Sequence, residues 1–478
     1  MATVHGPLQG GATGIRQAPG TGTAPSVARR TDVWNLGAVI VVWATCLFVA
    51  ALWVDGGGVD DLLGGGASAL NALGRLTGLV SSNLLLLLVL LMARIPLFER
   101  GFGRDGMTRM HRLTGFWSLW LLLAHIVLQT LGYAVEASLN PITQLVQFVI
   151  DYPGMLLATA GTLLVIMVAI TSARRARRRL RYESWHLLHL YGYLGAGLAL
   201  PHQLWTGSDF TASPIATVYW WGLWIAAAVA IIGYRVIVPL AHSRRHLLRV
   251  SSVTADGADG VTVRMRGVGV SRLGAKPGQF FVWRFLDGPG WTRGHPFSLS
   301  AAPVGDELAI SARLVGDGTS RLTTLRPGTR VLIEGPYGKL TGESRQGRRM
   351  LLIGAGAGVA PLVSLLEGED YAPGSATLVT RDTVAEVALR TDAIAALVRE
   401  RGVQHVPLIG RRASTGPVWL PQSHAGWNGV AALRRLAPDP ADHDVYVCGP
   451  PEWMDAVLRD LRAAGFPPSQ VHRESFTV

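Results

Sequence analysis

Residues 111–125 read HRLTGFWSLWLLLAH and residues 185–202 read WHLLHLYGYLGAGLALPH. Each is an apolar run of membrane-helix character, and each carries imidazoles. His111 and His125 stand fourteen residues apart in the first, His189 and His202 thirteen apart in the second. Polar side chains are costly in hydrocarbon, so four histidines in such runs require partners. At 1.5 Å of rise per residue the separation is roughly 21 Å, which puts one imidazole toward either face of a hydrocarbon layer about 30 Å thick.

A single histidine of this kind can hydrogen-bond a neighbouring helix or line a proton path. Two matched pairs at these spacings point instead to two stacked haems, each gripped by one imidazole from either helix. At 3.6 residues per turn, fourteen residues return a side chain to nearly the same face and thirteen do not. The second helix is therefore expected to bend or coil, with Pro201, Gly192, Gly195 and Gly197 as the places for it. His186 competes with His189 for the lower position.

The rest of the composition agrees with a chain that lives partly in lipid. Of 478 residues 49% are hydrophobic and 16% charged, and the mean hydropathy is +0.30, too apolar for a wholly soluble protein. The length suits two or three domains, and the character changes near residue 243. The net charge of +12 gathers beside apolar spans without a nucleic-acid recognition motif, so a membrane surface explains it better. Cys46 and Cys448 lie in different halves and offer neither a disulfide framework nor a cysteine metal site.

Residues 1–30, rich in Gly, Ala, Thr and Pro, read as a disordered tail and not as a cleaved signal. Apolar segments follow at about 34–54, 73–93, 113–133, 150–172, 185–205 and 216–240, giving six expected spans over a domain at 31–243. Arg100, Arg104 and Arg109, the run ARRARRRLR at 173–181, and SRRH at 243–246 share one side. Asp55, Asp60, Asp61, Glu136 and Asp209 mark the other. Both termini are thus expected in the cytoplasm, with His111 and His189 near the cytoplasmic face and His125 and His202 near the outside of the plasma membrane. Trp34, Trp53, Trp205, Trp220 and Trp221 suit interfacial anchoring.

From about residue 244 the pattern turns to short alternating runs, VTVRMR, FFVWRF, ELAISARL and VLIEG, broken by Gly, Pro and Asp. That predicts a small antiparallel β-barrel over 244–343. Over 344–478 apolar strands alternate with helices, which predicts a doubly wound parallel α/β domain.

In the last domain the strand LLIG runs into GAGAGVAP, placing Gly354, Gly356, Gly358 and Pro361 where backbone can approach a phosphate at a helix N-terminus. Taken alone it is a weak signal, with an ordinary tight strand-to-helix turn as its alternative. Arg381 follows ATLVT where a guanidinium could hold the 2′-phosphate of NADPH, with Arg390 as a helper, or either is a solvated charge. VYVCGPPEWM places Cys448, Gly449 and Pro450 at another strand terminus beside the crevice where such sheets bind ligands. In the barrel, His295, Pro296, Phe297 and Ser298 could lie along a flavin ring. Arg313 and the GDGT turn, with Gly316 and Thr319, could hold the pyrophosphate. PGQF (277–280) and EGPYG (334–338) sit at turn positions.

With these marks assembled, the chain after residue 30 resembles the superfamily of transmembrane ferric reductases and NADPH oxidases. The resemblance rests on the histidine pairs, the YESW run before the second pair, HPFS, VGDGT, GAGAGVAP, VCGP and a C-terminal HRESF. It implies a six-helix transmembrane haem bundle with two b-type haems in bis-histidine ligation, His111, His125, His189 and His202 being the metal ligands. It also implies a ferredoxin-reductase-type module carrying FAD and NADPH, NADH being possible. The family histidine lies six residues after a glutamate, as His189 does after Glu183, which favours it over His186. Phe476 is similar to the terminal aromatic that stacks on the flavin, although Thr477 and Val478 follow it and a strand-capping role is its alternative. The catalytic candidates are Ser298, Cys448 and Phe476.

The function so implied is a transmembrane oxidoreductase passing electrons from cytoplasmic NADPH through FAD and two haems to an extracytoplasmic acceptor. A ferric chelate is the favoured acceptor, oxygen reduced to superoxide the alternative, and a quinone or partner protein the third. A transporter or sensor reading nucleotide would keep the spans and the glycine-rich turn, but has no use for four histidines at this spacing together with HPFS. No calcium loop or obvious docking segment is apparent, so activity is expected to be constitutive, and protein partners are unknown.

Overall fold

The computed structural model describes residues 27–173, 176, 182–288, 290–291 and 293–475. The N-terminal tail to residue 26, most of the basic run at 173–181 and Phe476 lie outside the described residues. Val27–Arg30, counted above with the tail, already belong to the first helix.

Six long helices come first: α1 (Val27–Asp55), α2 (Gly66–Met92), α3 (Pro96–Glu136), α4 (Met155–Ser172), α5 (Tyr182–Trp205) and α6 (Pro214–Ile232). Local chemistry sets their starts. Pro96 occupies the first turn of α3, where a missing N–H costs nothing. Ser213 caps α6 by accepting from the Ala216 N–H at 3.2 Å. Among the described residues five segments are long and apolar enough to cross a membrane: Leu36–Asp55, Gly66–Met92, Gly106–Glu136, Met155–Ser172 and Pro214–His246. α5 has the length, 24 residues, but its histidines, tyrosines and glycines dilute its apolar character. The expected span at 185–205, the second histidine helix, is thus the one of the six that is not among them.

α2 packs along α3, and α4 along α5. The second contact is close because both helices are small there: a Cβ on Gly161 would stand 2.6 Å from the Gly195 carbonyl. α3 and α5 make no comparable backbone contact, so a gap separates the two histidine helices. Outward faces are apolar and uncovered, as at Ile40, Trp43 and Leu47 on α1, which suits lipid as the covering solvent.

A π-helical turn (Gly233–Ile237) and a helix to His246 lead out of α6. Next come β1 (Arg249–Ala255), β2 (Gly260–Arg266), β3 (Phe280–Phe285), β4 (His295–Ser298), β5 (Glu307–Arg313) and β6 (Val331–Tyr337). They form two antiparallel three-stranded sheets, β1-β2-β5 and β4-β3-β6, around one core that includes Val263, Met265, Phe281, Trp283, Ile310 and Ile333. Single bridges join the sheet edges, Leu299 with Ile310 and Arg249 with Arg330.

The last unit is a parallel five-stranded sheet of β7 (Arg349–Ala355), β8 (Ala376–Asp382), β9 (Gln404–Ile409), β10 (His443–Gly449) and β11 (Val471–Ser475) in the order β11-β10-β7-β8-β9. Strand order reverses between β7 and β10, so the crevice for a ligand opens at their C-terminal ends. Both strands are buried along nearly their whole length, as covering on two faces requires. Helices α7 (Val359–Gly368) and α8 (Pro451–Ala463) start from those two ends.

Candidate functional site

The imidazoles of His111 on α3 and His189 on α5 face one another across the gap, their ring centroids 5.7 Å apart and tilted by 55°. A metal between two imidazole nitrogens needs bonds of about 2 Å to each, which sets the ring centroids roughly 6 Å apart, so the pair would have to open slightly to admit one. His202 lies within electrostatic reach of His125. His186 instead faces a charged cluster containing Arg94, Arg284, Arg235 and Glu334.

The second nitrogen of each ring tests whether the set suits a metal. His125 Nδ1 lies 2.7 Å from the Gly74 carbonyl and His202 Nδ1 2.5 Å from the Ala199 carbonyl. A carbonyl only accepts, so each Nδ1 carries the proton and each Nε2 keeps its lone pair, the tautomer a ligand needs. His189 Nδ1 has Ser172 Oγ at 3.1 Å, whereas His111 Nδ1 is buried without a partner. Gly78 clears space for the outer ring, since a Cβ there would meet His125 Nδ1 at 2.5 Å. Among the described residues no three His, Cys, Asp or Glu cluster around a metal ion. A haem would need only two nitrogen donors; the outer histidines carry the tautomer that suits it, and at the inner pair the facing rings are the supporting observation.

In α5, Pro201 sits inside an otherwise continuous helix, and Gly154 approaches it so closely that a Cβ would stand 2.8 Å from the His202 amide nitrogen.

The soluble motifs converge pairwise. Gly318 of the GDGT turn abuts His295 of HPFS, a Cβ there lying 2.8 Å from the imidazole. Thr319 Oγ1 accepts from the Gly316 and Val315 amides, holding that turn. Phe297 stacks near His295, with centroids 6.1 Å apart. Ser298 is buried and its hydroxyl lacks a partner, while Pro296 pairs across β3 with Val282. Arg313 at the end of β5 comes beside Gly356, where an added Cβ would lie 3.7 Å from its Nη1. Gly354 lies next to last in β7, Gly356 adopts φ +53° and Pro361 lies in the first turn of α7. Gly358 meets the Cys448 carbonyl, Gly449 ends β10 and Pro450 caps α8. Cys448 Sγ donates to the Glu474 carbonyl at 3.4 Å, and burial pushes its thiol well up.

The two arginines nominated for a 2′-phosphate are otherwise engaged. Arg381 is buried, with Nη1 donating to the carbonyls of Asp382 and Leu408. Arg390 Nη2 binds Glu367 Oε1 at 2.9 Å, and its amide donates to Asp256 Oδ1 at 2.7 Å. Either must surrender these bonds before it can reach a phosphate.

Three acidic residues at the site escaped the sequence reading. Asp259 Oδ2 takes Arg313 Nη2 at 2.5 Å and Asp382 Oδ1 takes Nη1 at 3.3 Å. Burial raises Asp382 to about 6 against the pull of Arg313 and Arg381. Its position directly after Arg381 at a strand end was the available signal. Glu334 lies within β6, so EGPYG, expected at a turn, is strand as far as Tyr337; its carboxylate is 5% exposed and bound by two arginines, which nothing in the local sequence marks.

Residues 77–200 match the family model described as ferric reductase like transmembrane component. They include every ligand candidate except His202. Similar over the later part is the probable dihydroorotate dehydrogenase B (NAD(+)), electron transfer subunit, of Methanothermobacter thermautotrophicus. It is 33% identical, covering 40% of this chain and 64% of the relative. A superoxide-generating NADPH oxidase heavy chain of Dictyostelium discoideum is 24% identical, with 61% of each chain covered. Thus the chain spans less than two thirds of these relatives. The chain thus carries a ferric-reductase-like transmembrane segment at 77–200 and is similar, over a longer stretch, to an NADPH oxidase heavy chain. A ferredoxin NADP+ reductase of Neisseria gonorrhoeae, solved with bound FAD and NADP, aligns over 48% of this chain and 97% of its own. The identity there is 22% and the TM-score 0.40.

Proposed function

We propose that this protein is an integral membrane NAD(P)H-dependent oxidoreductase of the plasma membrane with six spans and cytoplasmic termini. Electrons enter from cytoplasmic NADPH and leave to an extracytoplasmic acceptor, a ferric chelate. When bound, FAD takes a hydride and releases electrons singly, and two b haems relay them across the bilayer.

The observation that carries this reading is the facing pair His111 and His189, contributed by two helices with few backbone contacts between them. His111 and His189 would hold the inner haem, and His125 and His202 the outer. The carbonyls of Gly74 and Ala199 fix the outer imidazoles as ligands by holding their Nδ1 protons. Facing an outer haem held by His125 and His202, an acceptor would take electrons without itself binding the iron. His295, Pro296, Phe297 and Ser298 would line the flavin, the Ser298 hydroxyl supplying its unspent donor. Gly354, Gly356 and Gly358 would present the N-terminus of α7 to the nucleotide phosphates. Gly449 and Pro450 would border the nicotinamide beside Cys448, with Phe476 stacking on the flavin. None of these steps needs a general acid or base from the protein.

An anaerobic titration with NADPH, watched in the visible spectrum, tests the reading. Sharp reduced b-haem bands are expected, and a colourless protein refutes it. Ferric chelate added next should reoxidise the bands. The identity to a protein named for superoxide generation favours oxygen as a second acceptor. In air, suppression of ferric-chelate reduction by superoxide dismutase would establish that second reading.

A further inference from the structure

The sheet β4-β3-β6 has two faces. Phe281, Trp283 and Phe285 turn into the core, so Phe280, Val282 and Arg284 take the opposite side. Opposite Phe280 stand Ser298 and Tyr337, and opposite Val282 stand Pro296 and Glu334. The face that bears the flavin candidates Pro296 and Ser298 therefore also bears Glu334 and Tyr337.

Those two residues are held by the membrane half. Arg94, in the turn between α2 and α3, reaches Glu334 Oε1 with Nη1 at 2.7 Å, and its guanidinium lies 5.1 Å from the Tyr337 ring centroid. The second oxygen of Glu334 takes Arg284 Nη1 at 3.3 Å, and Tyr337 donates to the first at 3.3 Å. The turn itself is pinned from the π-helical turn that follows α6: Arg235 Nε and Nη2 donate to the Met92 carbonyl at 3.0 and 2.8 Å. Neighbouring residues dock likewise, Ile333 N–H to Ser243 Oγ at 3.0 Å and Lys339 Nζ to the Gly101 carbonyl at 3.0 Å. His186, three residues before His189, faces the same charges.

A carboxylate with 6% side-chain exposure, between two guanidiniums from different halves, is tied to one geometry, because either charge left unpaired would be desolvated without compensation. We propose that Glu334 is a positioning residue, clamped by Arg94, that fixes the flavin-bearing face of β4-β3-β6 against the inner histidine pair. This rests on the proposed function for its consequence, but the clamp itself does not.

The test uses the full-length, haem- and flavin-loaded protein with Glu334→Gln, Arg94→Gln and the double variant. Each single change should slow the appearance of reduced haem bands after anaerobic mixing with NADPH about tenfold, since small misplacements of reacting partners are expensive. Ferricyanide, which can take electrons at the flavin, should be reduced at a rate within about twofold of wild type. The double variant should be no slower than either single one, as for two ends of one contact. Backbone amides at 331–339 should exchange hydrogen faster in all three. Unchanged haem reduction, losses that multiply in the double variant, or unchanged exchange would overturn the clamp. If the wild type itself fails to reduce haem, the functional reading falls while the exchange measurement still decides the clamp.

Discussion

A Cβ on Gly358 would collide with the carbonyl oxygen of Cys448 and stand 2.8 Å from the amide of Gly449. The glycine-rich turn after β7 and the VCGP turn after β10 are in direct backbone contact, so two motifs about ninety residues apart make one wall of the ligand crevice.

Gly358→Ala should therefore push β7 and β10 apart at the crevice. Overpacking of this kind costs about 1–3 kcal/mol, and the displaced α7 terminus should raise the Michaelis constant for NADPH. Thermal unfolding and initial-rate kinetics of the variant check both effects; wild-type values for each would refute the contact.

His125→Ala should halve the haem bound per chain while flavin reduction by NADPH continues. Gly78→Val tests the same ring without removing it. Its side chain would occupy the space of His125 Nδ1 and break the bond to Gly74, so outer haem should again be lost, as read by pyridine haemochromogen content. Two full haems in either variant contradict the assignment.

Cys448 should resist alkylation. Its thiol is fully buried, bonded to the Glu474 carbonyl and pushed well above its ordinary pKa by burial, so little thiolate exists at about pH 8. Iodoacetamide followed by mass spectrometry should modify it only after denaturation; rapid labelling of native protein would show an open crevice.

Asp382 gives a pH signature. Burial raises its carboxyl from 3.8 to about 6, so between those values the folded protein holds a proton that the unfolded chain has released. Stability from this group is then full below about pH 4 and falls as pH rises toward 6, the reverse of an ordinary ion-paired carboxylate. Asp382→Asn should lack that slope, and its melting temperature relative to wild type should be higher at about pH 7.5 than at about pH 4.5. A constant difference across that range would refute it.

The histidine spacing, the apolar runs, the glycine-rich strand ends and the switch in periodicity were legible because each is a local pattern imposed by helix pitch, strand pleat or turn geometry. They suffice for a helical membrane half followed by antiparallel and then parallel sheets, and they nominate His111, His125, His189 and His202. What they could not supply was which groups meet. Whether His189 or His186 opposes His111, how Arg313 is shared between Asp259 and Asp382, and where Arg381 spends its guanidinium all depend on contacts between distant segments. The Arg94–Glu334 pair is the plainest case. Its members lie 240 residues apart, each unremarkable in its own stretch, and only docking β6 onto the turn between α2 and α3 removes water from both charges and makes them partners.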